Sequence, residues 1–184
     1  MGSIGAMLAR AVAVATAVVA VLGADAAAAA ELHGRVVRVT DGDTVVVLDG
    51  AREQHKVRVQ GIDAPERAQP FSDRSKQQLS RLVFGRDVVV RWDKRDRYGR
   101  IVGTVLAAKP GCDEPACAKT VDAGLAQVKA GLAWWYRQYA KEQTPAERKA
   151  YEAAEGRARK ARRGLWSQPE PTPPWAFRRA KRSR

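Results

Sequence analysis

Residues 34–59 read GRVVRVTDGDTVVVLDGAREQHKVRV, and this stretch sets the architecture. β-Branched residues cluster and alternate within it, as they do in strands, over residues 36–39, 45–48 and 57–59. Between the second and third runs, Asp49-Gly50 predicts a hairpin turn. The stretch therefore predicts three consecutive strands, of which the last two form a hairpin.

A helix and two more strands are predicted next along the chain. Ser72 is a candidate N-cap, Leu79, Leu82 and Val83 share one helical face, and Gly85 is a stop signal. Residues 88–92 and 101–106 read as strands, joined by a charged turn at residues 97–100.

Two further helices are predicted in the second half. The second helix is predicted from residues at helical spacing that end at Gly131: Val121, Leu125, Val128 and Leu132. Thr144, Pro145 and Glu147 form the start signal of the third, with Gly164 as its stop. Its predicted buried stripe is made of small residues: Ala146, Ala150, Ala154, Ala158 and Ala161. The predicted fold class is α+β, a five-stranded OB-type β-barrel with three helices.

The N-terminus has the pattern of a targeting segment. Arg10 precedes an apolar stretch over residues 11–22, which is too short to span a bilayer as a mature helix. An alanine run over residues 26–30 offers cleavage sites just before Glu31. We expect residues 1–30 to be a cleaved signal peptide and the protein to be secreted or periplasmic; the alternative is an uncleaved anchor.

The exported part is predicted to be one domain, residues 31–167, followed by a tail over residues 168–184. That length suits a single compact domain. The tail is rich in proline and basic residues and has no apolar pattern that would fold it, so we expect it to be mobile. Its basic cluster is Arg178, Arg179, Lys181, Arg182 and Arg184.

The charge balance indicates the class of partner. The chain has 33 Lys and Arg against 20 Asp and Glu, a formal net charge of +13. Such an excess indicates a polyanionic partner, with nucleic acid the first candidate and anionic cell-envelope polymers, held weakly, the second. No stable protein partner is indicated, and we expect a monomer.

Cys112 and Cys117 are the two cysteines of the chain. Because export places them where disulfides persist, we expect them to be bonded to each other. Two free thiols or half of a metal site are the alternatives, but no histidine or further cysteine lies nearby in sequence to complete four ligands.

Carboxylates and an arginine crowd around two of the predicted strands. Asp41 and Asp43 flank a glycine before the second strand, in a pattern that on its own is first of all a turn. Strand alternation turns Arg58 away from its valine neighbours, and Asp63 and Glu66 follow that strand. Pro65 restricts Ala64 to an extended conformation and can stiffen this loop. Such stiffness, which would hold Asp63 and Glu66 in a fixed relation, is what a metal or general-base site needs.

Five motifs together resemble the thermonuclease (staphylococcal nuclease) family, as an exported bacterial member. They are DGDT at residues 41–44, VRVQGIDAPE at 57–66, DRYGR at 96–100, AGLAWWYRQY at 130–139 and GLW at 164–166. Their order and rough spacing match the family over essentially all of residues 34–166. Each motif alone is weak, but the combination is highly specific.

The resemblance implies a role for each charged position. Asp43 and Asp63 look like the carboxylate ligands of one Ca²⁺ ion, and Asp41 would act on that ion through a water molecule. Ala64 would contribute its backbone carbonyl; the better-known member has threonine there, but a main-chain ligand tolerates the change. Glu66 corresponds to the general base. Arg58 and Arg100 correspond to the pair that grips the phosphate.

The chemistry of these residue types agrees with the resemblance. Oxygen ligands without histidine or cysteine select a hard cation, and flexible oxygen geometry favours Ca²⁺ over Mg²⁺. For each arginine, the alternative is a salt bridge to a nearby aspartate. Arg97 and Tyr98 are predicted to line the nucleotide pocket, although Tyr98 suits a turn residue equally well.

The expected function is Ca²⁺-dependent hydrolysis of phosphodiester bonds in DNA and RNA, with little sequence specificity and 3′-phosphate products. The alternatives are a non-catalytic nucleic-acid-binding OB module of the cell envelope and an envelope adhesin. Trp135 and Tyr139 are expected to close a core rather than to stack on bases. His33 and His55 are assigned no role.

Overall fold

The computed structural model of the protein describes residues 30–112, 114 and 116–183. The expected signal peptide lies outside the described residues, except for Ala30, which begins the first strand. Among the described helices, none has the length and apolar character needed to cross a membrane.

Five strands close a barrel in the order β3, β2, β1, β5, β6, because β3 and β6 also pair with each other in parallel. A further strand, β7, extends the sheet beyond β6, and β4 pairs with β8 in a separate two-stranded ladder. The prediction of a five-stranded barrel is confirmed. The strands are β1 (Ala30–Val39), β2 (Thr44–Asp49), β3 (Gln54–Val59), β4 (Ile62–Asp63), β5 (Asp87–Arg95), β6 (Ile101–Ala108), β7 (Lys119–Asp122) and β8 (Trp134–Trp135).

The described residues form four α-helices rather than the predicted three. They are α1 (Ser72–Val83), α2 (Ala123–Lys129), α3 (Pro145–Lys160) and α4 (Pro174–Arg182). Short 3-10 turns follow β8 and α3, at Arg137–Glu142 and Gly164–Ser167.

Strand alternation positions Arg58 as predicted. Val57 and Val59 are buried in the barrel, while Arg58 between them points to the other face and is partly buried. Arg58 pairs with Thr44 across the β2–β3 hairpin, so its side chain emerges beside the start of β2. The barrel thus brings the end of one strand next to the DGDT loop that opens another.

The helix starts follow the sequence signals only in part. The α3 capping box is present as predicted: Thr144 accepts from the Glu147 amide, and Glu147 accepts from the Thr144 amide. The predicted Ser72 N-cap of α1 is wrong. Phe71 occupies the N-cap position, with φ 69° and no side-chain cap. The Ser72 hydroxyl does not cap the helix and donates instead to the Arg67 carbonyl at 3.1 Å.

Two predicted helical stripes need correction. Val121 belongs to β7, because Asp122 accepts from the Leu125 amide and begins α2 there. In α3, Ala146 and Ala161 at the ends of the predicted stripe are exposed. The buried residues of α3 are Tyr151, Ala154, Glu155 and Ala158.

The apolar core has two parts. The larger fills the barrel and the space under α1, α2 and α3. The smaller lies between α3 and the chain beyond it, and consists of Trp134, Ala158, Leu165 and Trp166, with Phe71 and Trp175 packed against them. Trp175 belongs to α4, so the second core anchors the C-terminal helix.

Part of the segment expected to be a mobile tail is helical. Residues 174–182 form α4, whose start is favoured by Pro174 at the first helical turn. The helix is held by aromatic packing through Trp175, a contact that no local apolar pattern reveals. The expected bond between Cys112 and Cys117 is present, in the loop between β6 and β7.

Candidate functional site

The DGDT loop packs against helices α1 and α2. Gly42 has no room for a side chain, because an added Cβ would lie 2.0 Å from the Ser75 hydroxyl oxygen of α1. The buried Gln127 amide of α2 donates to both the Gly42 carbonyl and the Ser75 carbonyl, at 2.9 Å each. Close packing, rather than an unusual turn, therefore accounts for the glycine between the two aspartates.

Two buried carboxylates form the floor of the site. Asp43 and Asp63 are 7% and 1% exposed. Asp43 accepts from the Thr44 hydroxyl through Oδ1 at 3.0 Å and from the Ala64 amide through Oδ2 at 2.8 Å. The contact that Ala64 makes here is thus through its amide, while its proposed carbonyl ligation stays a prediction.

Arg58 joins these two carboxylates. Its Nη1 lies 3.1 Å from Asp43 Oδ2 and its Nη2 lies 3.1 Å from Asp63 Oδ1. Nη1 also donates to the Val59 carbonyl at 3.0 Å. With a side chain only 15% exposed, Arg58 is a largely buried cation shared by both acids. The salt-bridge alternative from the sequence is therefore what the structure shows, inside the predicted site.

Burial makes this cluster costly to charge. Burial and the neighbouring charge of Asp43 raise the pKa of Asp41 to about 6, although Asp41 accepts from the Asp43 amide at 3.0 Å. Burial also raises the pKa of Asp63, while hydrogen bonds from Arg178 and the charge of Arg58 act in the opposite direction. The site thus favours additional positive charge.

Glu66 lies at the open side of the cluster. Its amide donates to Gln69 at 2.9 Å, which fixes the loop after β4. Its side chain is 37% exposed and accepts from Arg178 Nη1 at 2.7 Å. Glu66 is therefore in reach of solvent and, through one guanidinium, connected to Asp63.

Arg178 is the site residue that sequence reasoning missed. It comes from α4 and donates to both oxygens of Asp63, at 3.2 Å and 2.8 Å, as well as to Glu66. These three bonds and the charges of both carboxylates raise its pKa, although partial burial acts against them. The only signal in the sequence was one arginine among several in the basic tail.

Arg100 ends the turn that leads into β6, the strand that pairs with the Arg58 strand, and it bonds to Asp96 rather than to the carboxylate cluster. β3 and β6 pair in parallel with Val57 opposite Ile101, so Arg100 directly precedes β6 beside the hairpin. Its Nε and Nη2 both contact Asp96 Oδ2 at 2.7 Å. Burial raises the pKa of Asp96, but hydrogen bonds from the Arg100 side chain and from two turn amides outweigh it, so the pKa lies below its ordinary value.

The DRYGR turn projects from the barrel. Tyr98 is 69% exposed, and the guanidinium of Arg97 lies 4.9 Å from its ring centre. Arg100 lies 5.6 Å from the same ring. Tyr98 is thus accessible to a ligand beside Arg100, while the part that Arg97 and Tyr98 play in a nucleotide pocket stays a prediction.

The aromatic run at residues 134–139 divides between core and surface. Trp134 and Trp135 are buried, and the Trp135 indole donates to Gln143 at 2.8 Å. The expectation that Trp135 closes a core is confirmed. Tyr139 is exposed, so the same expectation for Tyr139 is wrong. Tyr136 stacks on Trp175 of α4 with ring centres 5.4 Å apart.

A second acidic group lies at the other end of β2. Among the described residues, Asp49, Glu53 and His55 have potential ligand atoms that all lie within 4.8 Å of one another. Asp49 accepts from the Glu53 amide and contacts His55 Nε2, both at 2.8 Å, so the hairpin turn itself explains their proximity. The hydrogen bond with His55 lowers the pKa of Asp49. In the predicted site, arginine nitrogens occupy the space between the carboxylates.

Comparison with known proteins gives a consistent result. The model of the family described as "Staphylococcal nuclease homologue" matches residues 56–168. A micrococcal nuclease of Shigella flexneri is 40% identical over 173 residues, which is 93% of both chains. A protein of Escherichia coli named "Uncharacterized endonuclease" is 39% identical over 152 residues, covering 83% of this chain and 88% of its own. Protein ParB of Escherichia coli is 40% identical over 170 residues, 92% of both chains.

Proposed function

Because this chain belongs to the staphylococcal nuclease homologue family, it is a nuclease, and we propose that it hydrolyses DNA and RNA phosphodiester bonds at the Asp43–Asp63–Glu66 cluster with one Ca²⁺ ion. The observation that carries the proposal is the meeting of two buried carboxylates, an accessible glutamate and a shared arginine at one end of the barrel. Those four side chains supply the charges that phosphoryl transfer needs.

The residues present fit a hard cation. Asp43 and Asp63 offer oxygen atoms in a buried setting that already attracts cationic partners from β3 and α4. Asp43, Asp63 and the Ala64 carbonyl would hold Ca²⁺, with Asp41 acting through water. When bound, the ion supplies Lewis-acid polarisation of a phosphoryl oxygen.

The remaining chemistry belongs to the chain's own side chains. Glu66, at the solvent side, takes a proton from the attacking water. Arg58 binds the equatorial oxygens of the phosphate, for which it must share or give up its contacts with Asp43 and Asp63. Arg100, which bonds to Asp96 in the absence of substrate, would neutralise the departing 5′ oxygen, so that the phosphate stays on the 3′ side.

Low sequence specificity is part of the proposal. The charged groups of the cluster are those that recognise phosphate, and phosphate contacts carry no base information. Tyr98, exposed beside Arg100, offers a ring on which any base can stack. Both DNA and RNA are therefore proposed substrates.

A metal titration tests this function directly. Plasmid DNA should be cut in Ca²⁺, spared when a chelator is added, and cut again when Ca²⁺ is restored. Glu66→Gln should reduce turnover by about 10²- to 10⁴-fold. Glu152→Gln, the same change at an exposed α3 position, should leave turnover unchanged. DNA that is bound but not cut by the wild-type protein would favour a non-catalytic binding module instead.

We propose that the protein acts outside the cytoplasm, as a monomer with weak attraction to anionic envelope polymers. The bond between Cys112 and Cys117 supports an oxidising compartment. Cell fractionation with N-terminal sequencing tests this: a periplasmic or extracellular product that begins near Glu31 is expected, and a cytoplasmic product that begins at Met1 would contradict it.

A further inference from the structure

The C-terminal helix α4 is docked beside the carboxylate cluster by aromatic and polar contacts. Trp175 stacks on Tyr136 with an angle of 15° between the rings, and meets Trp134 edge to face with centres 6.4 Å apart. Gln69, in the loop that carries Glu66, donates to the Thr172 carbonyl at 2.8 Å. These contacts hold α4 in place together with the ion pairs of Arg178.

From this position, Arg178 contacts the atoms that the proposed function needs. Its Nη2 donates to Asp63 Oδ2 at 2.8 Å, and its Nη1 donates to Asp63 Oδ1 at 3.2 Å and to Glu66 Oε1 at 2.7 Å. Arg58 uses Asp63 Oδ1 as well. Both oxygens of Asp63 are thus engaged by guanidinium groups, and the proposed base is bound to the same cation.

A guanidinium and a divalent cation at this place exclude each other. Both bind the oxygens of Asp63, which already accept from Arg58 and Arg178, and a divalent cation added to two guanidinium groups on one carboxylate would be repelled strongly in a buried setting. Asp63 is 1% exposed, so water does little to screen that repulsion. A metal at Asp63 therefore requires Arg178 to withdraw.

We propose that Arg178 is the resident counter-cation of the metal site, and that its displacement sets the metal concentration at which the site fills. The inference rests on the proposed function in assigning a cation to Asp43 and Asp63. When the metal enters, Arg178 leaves Asp63 and Glu66, so Glu66 becomes free to accept a proton. Since Arg178 is one of the residues that hold α4 in place, metal entry also loosens that helix.

Calorimetric Ca²⁺ titration of three full-length proteins without nucleic acid tests the inference. Arg178→Gln should bind Ca²⁺ at least about tenfold more tightly than the wild type, the equivalent of one charge-assisted hydrogen bond that no longer has to be displaced. Arg179→Gln removes the same charge from an exposed neighbouring position and should bind as the wild type does.

Hydrogen exchange of the wild-type protein supplies a second measurement that needs no variant. Adding Ca²⁺ should speed amide exchange within residues 174–182 by at least about threefold, because α4 is then held by fewer interactions. Unchanged or slower exchange there would overturn the inference.

The titration separates the inference from the function beneath it. Equal affinity in all three proteins, or weaker binding by Arg178→Gln, would overturn the role of Arg178 while the metal site stands. Absence of Ca²⁺ binding by all three would overturn the metal site and the inference together. Binding only by Arg178→Gln would support the inference in its strongest form.

Discussion

Asp41 carries a charge that its surroundings disfavour, and this predicts how stability depends on pH. Its pKa is about 6, above the ordinary value near 3.8, because of burial and the charge of Asp43. A raised pKa in the folded state contributes stability that is full below about pH 4 and is lost as the pH rises through 6. Above that range, the metal-free protein therefore bears the cost of a disfavoured charge.

Asp41→Asn should remove that cost while keeping an oxygen for the Asp43 amide. We expect the metal-free variant to exceed the wild type in free energy of unfolding by about 1 to 2 kcal/mol at pH 8, with the difference vanishing near pH 4. Urea unfolding in a chelator across this pH range measures it. A difference that is largest at acid pH would contradict the assignment.

Arg58 is predicted to matter for stability as well as for turnover. Its side chain is 15% exposed and serves two buried acids. Arg58→Ala should lower the free energy of unfolding of the metal-free protein by about 3 kcal/mol, because it leaves buried carboxylates short of a partner. Arg38→Ala, on the exposed surface of β1, should change it by less than about 0.5 kcal/mol.

The proximity of side chains could be predicted from the sequence where motifs are local and could not where contacts are distant. Two short motifs beside the paired strands β2 and β3 contain Asp43, Arg58, Asp63 and Glu66. The strand pattern of the sequence was therefore enough to predict that these side chains lie close together. Arg178 reaches Asp63 across 115 positions of sequence, and nothing in its neighbours marks it. The partnership of Arg100 with Asp96 was foreseen only as the alternative to phosphate binding.

At the scale of elements, two glycines near the end of α3 predict opposite effects of the same substitution. Gly156 lies inside α3 with no atom within 4 Å of an added Cβ. Alanine there causes no clash and has a higher helix propensity than glycine. Gly164 has φ +52°, and an added Cβ would lie 2.3 Å from the Gly131 carbonyl oxygen. Gly156→Ala should stabilise by about 1 kcal/mol, and Gly164→Ala should destabilise by at least about 2 kcal/mol.

Thermal unfolding of both variants against the wild type measures this pair. The two changes add the same methyl group, so each serves as the control of the other. A loss of stability in Gly156→Ala would contradict the open surroundings of Gly156, and its absence in Gly164→Ala would contradict the close approach of Gly164 to Gly131.

Elements whose signals are local were predicted well, and those stabilised by tertiary contacts were not. The α3 capping box depends on Thr144 and Glu147, three residues apart, and it is present as predicted. The α1 start is decided by Phe71, a non-glycine residue at positive φ that packs against the second core. Helix α4 depends on Trp175 meeting Tyr136 and Trp134, so its basic sequence alone favoured a mobile tail.

For the whole molecule, the net charge of +13 predicts strong and salt-dependent attraction to nucleic acid. The docked α4 changes where that charge acts. One of its arginines lies in the carboxylate cluster, whereas Arg179, Lys181 and Arg182 are exposed on the same helix. Deleting residues 168–184 would mix these two contributions, because it also removes Arg178 and Trp175.

Neutralising only the three exposed charges separates substrate attraction from chemistry. The variant Arg179→Gln, Lys181→Gln and Arg182→Gln keeps Arg178 on Asp63 and Trp175 on Tyr136. For each phosphate group that α4 no longer neutralises, the log–log salt dependence of duplex-DNA binding should flatten by roughly 0.9. KM on long DNA should rise at low salt and converge with the wild type at high salt, where screening removes the difference.

Turnover of a dinucleotide should be unchanged in this variant, since a small substrate does not extend to the exposed face of α4. The control removes three exposed charges from other elements, Lys56, Lys76 and Arg81, and so matches the change in net charge. An equal flattening in the control would assign attraction to total charge rather than to α4. A loss of dinucleotide turnover in the folded α4 variant would instead place its outer charges within the active site.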